Sequence, residues 1–221
     1  MPIPQIKPGG SRESARAQVY RQLQDWIVDG TMQPGERISD QDVAEYFSVS
    51  RTPVREALQL LSEQGFVRVE PSRGTHVSPI NGDLAYSIYE ALSSLSGCAA
   101  KLACQKQKKG DIARLRELNG DFERAVAAGE HDRLSNLDNV FHKFILKMAD
   151  NPYISDAVLN LTMHSNRYEN LYFREGTDRM ESVREHEALI RALEVRDDEE
   201  SARAAEENWL GFYRRRLQKM L

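Results

Sequence analysis

Ser50-Arg51-Thr52-Pro53-Val54-Arg55-Glu56-Ala57-Leu58 reads as the opening of a short helix with two distinct faces. Ser50 stands where a helix cap belongs, its hydroxyl able to accept from a free backbone N–H. Pro53 falls in the first turn, where its missing N–H costs little. Arg51 and Arg55 lie four residues apart and are neighbours on one side of the helix. Val54, Leu58 and Leu61 run down the other side. A helix buried on one face, with arginines at its N-terminal end, has the shape that a DNA major groove accepts.

Working outward, Val19, Leu23, Trp26 and Ile27 form a periodic stripe that predicts a first helix, stopped by Gly30 and the Pro34-Gly35 turn. Ser39 starts a second helix, with Asp42 as its acidic capping partner and Val43, Ala44 and Phe47 as its buried side. Only Ser48 and Val49 separate that helix from Ser50, which makes a tight helix-turn-helix. After Gly65, Phe66-Val67-Arg68-Val69-Glu70 alternates like a strand, Pro71-Ser72-Arg73-Gly74 turns, and Thr75-His76-Val77 returns as a second strand. Three helices and a β-hairpin make a winged helix-turn-helix, with Arg73 and His76 near the wing tip. Glu56 reads as a local ion-pair partner for an arginine.

These motifs carry a family resemblance. Pro34-Gly35-Glu36-Arg37, the Ser50–Leu58 run, Glu63-Gln64-Gly65-Phe66-Val67 and Arg73-Gly74-Thr75-His76-Val77 resemble, in order and spacing, the N-terminal domain of GntR-family bacterial transcription regulators. The resemblance implies DNA contacts at Arg37, Gln41, Ser50, Arg51, Thr52, Arg55, Arg73, Gly74, Thr75 and His76. Some family members carry a DNA-contacting arginine where this chain has Gln41. The implied partner is a double-stranded, pseudo-palindromic DNA operator bound by a homodimer.

Bulk charge contributes nothing to that reading. The formal net charge is −4, and residues 1–80 hold nine Lys/Arg against ten Asp/Glu. A basic domain would be the usual electrostatic footprint. DNA binding must therefore rest on the local placement of Arg51, Arg55 and Arg73, and on a dimer that doubles the phosphate contacts.

With 221 residues, the chain has room for one small module and a second domain with its own core. Met1 to Gly10 is polar and Pro/Gly-rich, unlike a signal peptide, and no apolar run approaches the ~20 residues that span a bilayer. The expectation is a cytoplasmic protein with no membrane partner. Cys98 and Cys104, six apart on one helix, read as thiols that point different ways.

A winged helix-turn-helix over 1–78 and a linker over 79–82 lead into an all-α region over 83–221. Segments near 83–107, 111–129, 131–150, 153–174, 177–195 and 198–220 read as amphipathic helices, broken at Gly110, Gly129, Asn151-Pro152, Gly176 and Asp197-Asp198. The fold class is mainly α: a winged helix with a small hairpin, then a helical bundle. The bundle is similar to the FCD effector domain of the FadR subfamily, which implies effector binding and dimerisation there.

Several polar residues occupy inward positions of that bundle. Asp138 and His142 share a face with Ile145, flanked by Phe141 and Phe144, and His186 shares a stripe with Leu189, Ile190 and Leu193. A carboxylate and two imidazoles converging from separate helices suit a divalent, Zn-like or Ni-like ion. In the resembling family an Asp-x-x-x-His pair, a Glu-His and a final-helix histidine hold such a metal beneath a small effector. This chain matches at Asp138, His142 and Glu185-His186, and the fourth position falls at Asn208, on a stripe with Ala205 and Phe212. Three alternatives follow: a weak site completed by Asn208, a three-ligand site open to effector or water, or a lapsed site that hydrogen-bonds an organic ligand directly.

Leu92 and Ser96 stand where the family commonly has an arginine and a glutamate. Arg167 matches a common family arginine; with Asn208 it is an effector-binding candidate, for an organic acid among small metabolites, and an interhelical salt bridge is its alternative role. Tyr168, Tyr172 and Phe173 read as aromatic lining or as core. Two functions from different classes fit: a ligand-responsive transcription factor, usually a repressor in such families and not an enzyme, or a metal-dependent hydrolase using the bundle cluster with Glu185 or Glu187 as base and the winged helix as an interaction module.

Overall fold

The computed structural model describes residues 14–172 and 179–219, with the backbone alone at 131, 132, 171, 172 and 219. The chain divides into two compact units. One covers Thr31–Pro79 with the chain up to Ile27; the other covers Ile80–Leu221 with Val28–Gly30.

The first unit is a winged helix built from α1 (Ala15–Val28), β1 (Arg37–Ile38), α2 (Asp40–Phe47), α3 (Arg51–Glu63), β2 (Val67–Glu70) and β3 (Gly74–Val77). Val19, Leu23 and Ile27 of α1, Val43 and Ala44 of α2, and Val54, Leu58 and Leu61 of α3 are all buried, and Trp26 of α1 meets the rings of Tyr46 and Phe47 on α2. The Ser39 hydroxyl caps α2 by accepting from the Asp42 N–H at 3.2 Å. Ser48 takes the left-handed backbone (φ 54°) that ends α2 and turns the chain into α3 within three residues.

Two sequence expectations need correction here. Ser50 has the extended backbone of an N-cap, yet its hydroxyl makes no capping bond. The expected hairpin of β2 and β3 forms, and β1 extends it to a three-stranded antiparallel sheet in the order β1-β3-β2. The unforeseen β1 is two residues long, too short for alternation to register, and pairs Arg37 with His76 and Ile38 with Thr75. His76 therefore sits inside the sheet between Arg37 and Arg68, not at the wing tip.

The second unit is a bundle of α4 (Gly82–Lys106), α5 (Asp111–Ala128), α6 (His131–Ala149), α7 (Pro152–Tyr172), α8 (Met180–Glu194) and α9 (Asp198–Arg215), followed by a 3-10 turn at Leu217–Lys219. Polar caps fix two helix starts: Asn81 Oδ1 accepts from the Leu84 N–H at 2.8 Å, and Asp197 Oδ1 from the Glu200 N–H at 2.9 Å. The long α4 packs on α6, α7 and α9, while α5 and α8 close the other side. Tyr89, Leu92, Phe141, Leu189, Ile190 and Trp209 fill the shared core. Cys98 is exposed and Cys104 buried, both free. Among the described residues no helix is long and apolar enough to cross a membrane.

Candidate functional site

On the winged helix, α3 presents its arginines outward: the side chains of Arg51 and Arg55 are 52% and 63% exposed, while Val54 and Leu61 beneath them are fully buried. Both arginines converge on Asp40, at the start of α2. Arg51 Nη2 donates to Asp40 Oδ1 at 2.7 Å and Oδ2 at 2.9 Å; Arg55 Nε donates to Oδ2 at 2.7 Å. These donors hold the Asp40 carboxyl below its ordinary value. The acidic partner of the arginines is thus Asp40, brought from another helix, and not Glu56 of their own.

Asp40 also lines a cleft of about 360 Å³ with Arg37, Arg55, Gln59, Val69 and Thr75. Gly74 has φ +98°, and a Cβ added there would lie 3.4 Å from Arg37 Nε, so the glycine gives the Arg37 side chain its bed. Arg73 is 80% exposed at the wing, 3.7 Å from Glu70. Thr52 is exposed, and Thr75 and His76 are half-buried. Gln41 is exposed and donates to Glu45 Oε1 at 3.1 Å. The His76 Nδ1 atom is buried without a hydrogen bond, as its place inside the sheet dictates.

In the bundle, α6 and α8 bring together three donor atoms. Asp138, His142 and His186 each place one potential ligand atom within 4.8 Å of the other two. His186 Nε2 lies 3.4 Å from Asp138 Oδ1, and His142 Nε2 lies 3.7 Å from Oδ2. These are not ion pairs, because burial pushes the His142 pKa down to about 4 and that of His186 well below its usual range. Both rings are neutral near pH 7 and each has one nitrogen lone pair to offer. Burial pushes Asp138 up to about 6, opposed by the Arg179 charge.

Which nitrogen His186 offers follows from Asn119. The Asn119 amide nitrogen donates to the Val183 carbonyl at 3.2 Å, so its Oδ1 faces His186 Nδ1, 3.1 Å away, and that nitrogen carries the proton. His186 Nε2 is then a bare lone pair, buried with no hydrogen-bond partner. Phe141 stacks on the ring at 3.9 Å between centroids, and Trp209 lies 4.9 Å from the His142 ring. A fixed tautomer, an orphaned lone pair and an adjacent carboxylate fit a divalent ion bound by one oxygen and two nitrogens.

Asn208 is buried as the stripe predicts, but its amide donates to Glu185 Oε2 at 3.1 Å. Arg215 pairs with the other oxygen of Glu185. Burial pushes the Glu185 carboxyl up to about 7 even so. Leu92 and Ser96 are buried, and Ser96 borders a void of about 20 Å³ beside His142, the room of a single water.

Arg167 is buried at 3% exposure. Tyr168 is core, its hydroxyl donating to the Asn81 carbonyl at 3.2 Å. The Tyr172 side chain and Phe173 lie outside the described residues.

Two residues of this neighbourhood escaped the sequence reading. Asn119 left a legible signal, as the one polar residue on the α5 stripe Leu115, Leu118, Asn119, Phe122. Arg179 left none, since it precedes α8 and lies outside any periodic pattern. It donates to Glu169 at 2.7 Å and rests 5.4 Å from the centre of the Phe212 ring, with both charged side chains nearly buried.

Comparison with known proteins agrees with both halves. The profile of the bacterial regulatory proteins of the gntR family matches residues 15–77, and that of the FCD domain matches residues 87–209. The HTH-type transcriptional regulator YdhC of Bacillus subtilis is 27% identical over 186 residues, covering 82% of each chain. The HTH-type transcriptional repressor RspR of Escherichia coli is 27% identical over 187 residues, covering 85% of this chain and 82% of its own. Among solved structures, E. coli McbR/YncC has the same fold, with a TM-score of 0.79 at 22% identity over 95% of this chain and 100% of its own. These relatives are transcriptional regulators, and the hydrolytic reading of the cluster finds no support in them.

Proposed function

Because the chain belongs to the GntR family of bacterial regulatory proteins and carries an FCD domain, it is a DNA-binding transcriptional regulator, and we propose that it acts as a dimeric repressor released by a small organic acid. In this reading Arg51 and Arg55 enter the major groove of each half-site and contact base edges. Ser50, Thr52, Arg37, Gln41 and the wing residues Arg73, Gly74, Thr75 and His76 line the same DNA-facing surface. With charge nearly balanced over the winged helix, two copies on one pseudo-palindrome supply the phosphate contacts that a single copy lacks. Such a protein works in the cytoplasm, where its DNA is.

In the bundle, Asp138, His142 and His186 would hold a divalent ion, whose Lewis acidity would anchor a carboxylate of the effector. Asn119 keeps His186 in the ligating tautomer. Arg167 supplies a cation for a second acidic group. Asn208 acts through Glu185 and at the effector, outside the donor set. Effector binding favours a placement of the two DNA-reading heads that no longer matches both half-sites.

The observation that carries this reading is the bare, fully buried Nε2 of His186 beside a carboxylate and a second imidazole. Protein purified without a histidine tag, treated with chelator and reloaded, tests it by metal analysis. The reading requires about one Zn²⁺ or Ni²⁺ per chain, and much less in His142→Ala. Equal metal in the two proteins would sink the metal reading.

A further inference from the structure

Resting on the reading of α3 as the DNA-contacting helix, we infer that Asp40 is the positioning residue that gives the protein its base specificity. One carboxylate engages two guanidinium groups at 2.7–2.9 Å, and those groups come from successive turns of the exposed face of α3. The carboxylate itself is anchored. Asp40 follows the capping residue Ser39, and the strand residue before that, Ile38, is buried and paired with Thr75 in the sheet. The arginines, by contrast, are long side chains more than half exposed, and free ones would lose much rotamer entropy on meeting a base.

The geometry also selects which edge of Arg55 reaches outward. Asp40 takes Arg55 through Nε, which leaves the two terminal nitrogens as a forked pair of donors. That fork matches O6 and N7 of a guanine. One carboxylate between two guanidinium groups leaves a net charge of one positive unit, so the trio still attracts phosphate. Asp40 thus lowers general attraction to DNA while fixing the arginines for base readout. Removing its charge separates the two effects: attraction to any duplex holds or rises, and discrimination between duplexes falls.

The test uses the full-length protein and a pool of randomised DNA duplexes. Selection with wild type gives a preferred duplex; affinities for that duplex and for a random-sequence duplex are then measured for wild type, Asp40→Asn and Asp40→Glu. Asp40→Asn should bind the random duplex as well as wild type or better. It should bind the selected duplex about ten- to a hundredfold more weakly, and a fresh selection should lose preference at the guanines. Asp40→Glu, which keeps the carboxylate, should recover much of that preference. Should Asp40→Asn fail to fold, Asp40→Ser takes its place, as serine is also favoured at helix starts. Unchanged or tighter binding of Asp40→Asn to the selected duplex, with the same base preferences, would overturn the inference, because Asp40 would then only compete with DNA for the arginines. Parallel loss on both duplexes would overturn it too, as a structural effect. If wild type selects no duplex at all, the reading of α3 fails and this inference with it.

Discussion

His186 donates its Nδ1–H to the side-chain carbonyl of Asn119, 3.1 Å away, and this bond decides which nitrogen faces Asp138. The bond links α8 to α5, whereas the donor atoms themselves come from α6 and α8. Replacing Asn119 by alanine leaves the ligands in place and removes what orients one of them. Orienting partners of this kind are worth about ten- to a hundredfold in metal affinity. Calorimetric titration with Zn²⁺ should show Asn119→Ala weaker by that factor, with about one site per chain retained. Unchanged affinity would mean that packing by Phe141 alone orients the ring.

The half-buried Asp138 predicts a stability effect that reverses with metal. Its folded pKa is raised from 3.8 to about 6, so its contribution to stability is full below pH 3.8 and lost as pH rises through about 6. Above that pH the metal-free protein keeps an ionised carboxylate in a largely desolvated place. Asp138→Asn should therefore stabilise the chelator-treated protein at pH 7.5, by about 1–3 kcal/mol, and not at pH 4. In the presence of Zn²⁺ the order should invert, with wild type gaining roughly 5–10 °C at a hundredfold excess over Kd and the variant little. Thermal melts at the two pH values, with and without metal, check both signs.

Much of this was legible in the sequence. Periodicity and breakers located the helices of both units, because buried apolar residues recur along them and Gly129 and Asp150-Asn151-Pro152 end α5 and α6. The Asp138, His142 and His186 grouping was legible because a polar residue on an inward stripe demands a partner. What stayed hidden depends on tertiary approach. The β1 strand exists only because Arg37 and Ile38 meet β3, and Asp40 finds the arginines only once the turn at Ser48 and Val49 folds α2 against α3. Ser50 has the residue type of a cap without the capping bond, a distinction that composition cannot make.

On the winged helix, Arg51→Ala and Arg55→Ala should separate binding from stability. Their ion pairs with Asp40 lie at the surface, where such pairs contribute about 0–1 kcal/mol. Each truncation should shift the melting temperature by only about 2–4 °C or less, while weakening binding to a selected duplex by about 1–3 kcal/mol. Fluorescence anisotropy beside a melting curve reads both. A large loss of stability would place the arginines in the framework of the fold instead.

Gly74 offers a test of the wing. Its φ of +98° is costly for any side chain, and a new Cβ would meet Arg37 Nε at 3.4 Å. Gly74→Ala should cost about 1–3 kcal/mol of stability in this unit. It should also weaken DNA binding by straining the wing backbone beside Arg37, even at temperatures where the fold is intact. Normal DNA affinity in the folded variant would remove Gly74 and Arg37 from the DNA-facing set.

In the proposed function the bundle acts on the DNA-reading heads through its donor cluster. The most direct measurement is the affinity of the Zn²⁺-loaded, full-length protein for its selected duplex, across a panel of small mono-, di- and tricarboxylates, in wild type and in His142→Ala. At least one carboxylate should weaken DNA binding by about fivefold or more in wild type and leave His142→Ala unmoved. A panel in which no carboxylate changes the affinity, or in which the same one acts equally on both proteins, would contradict it.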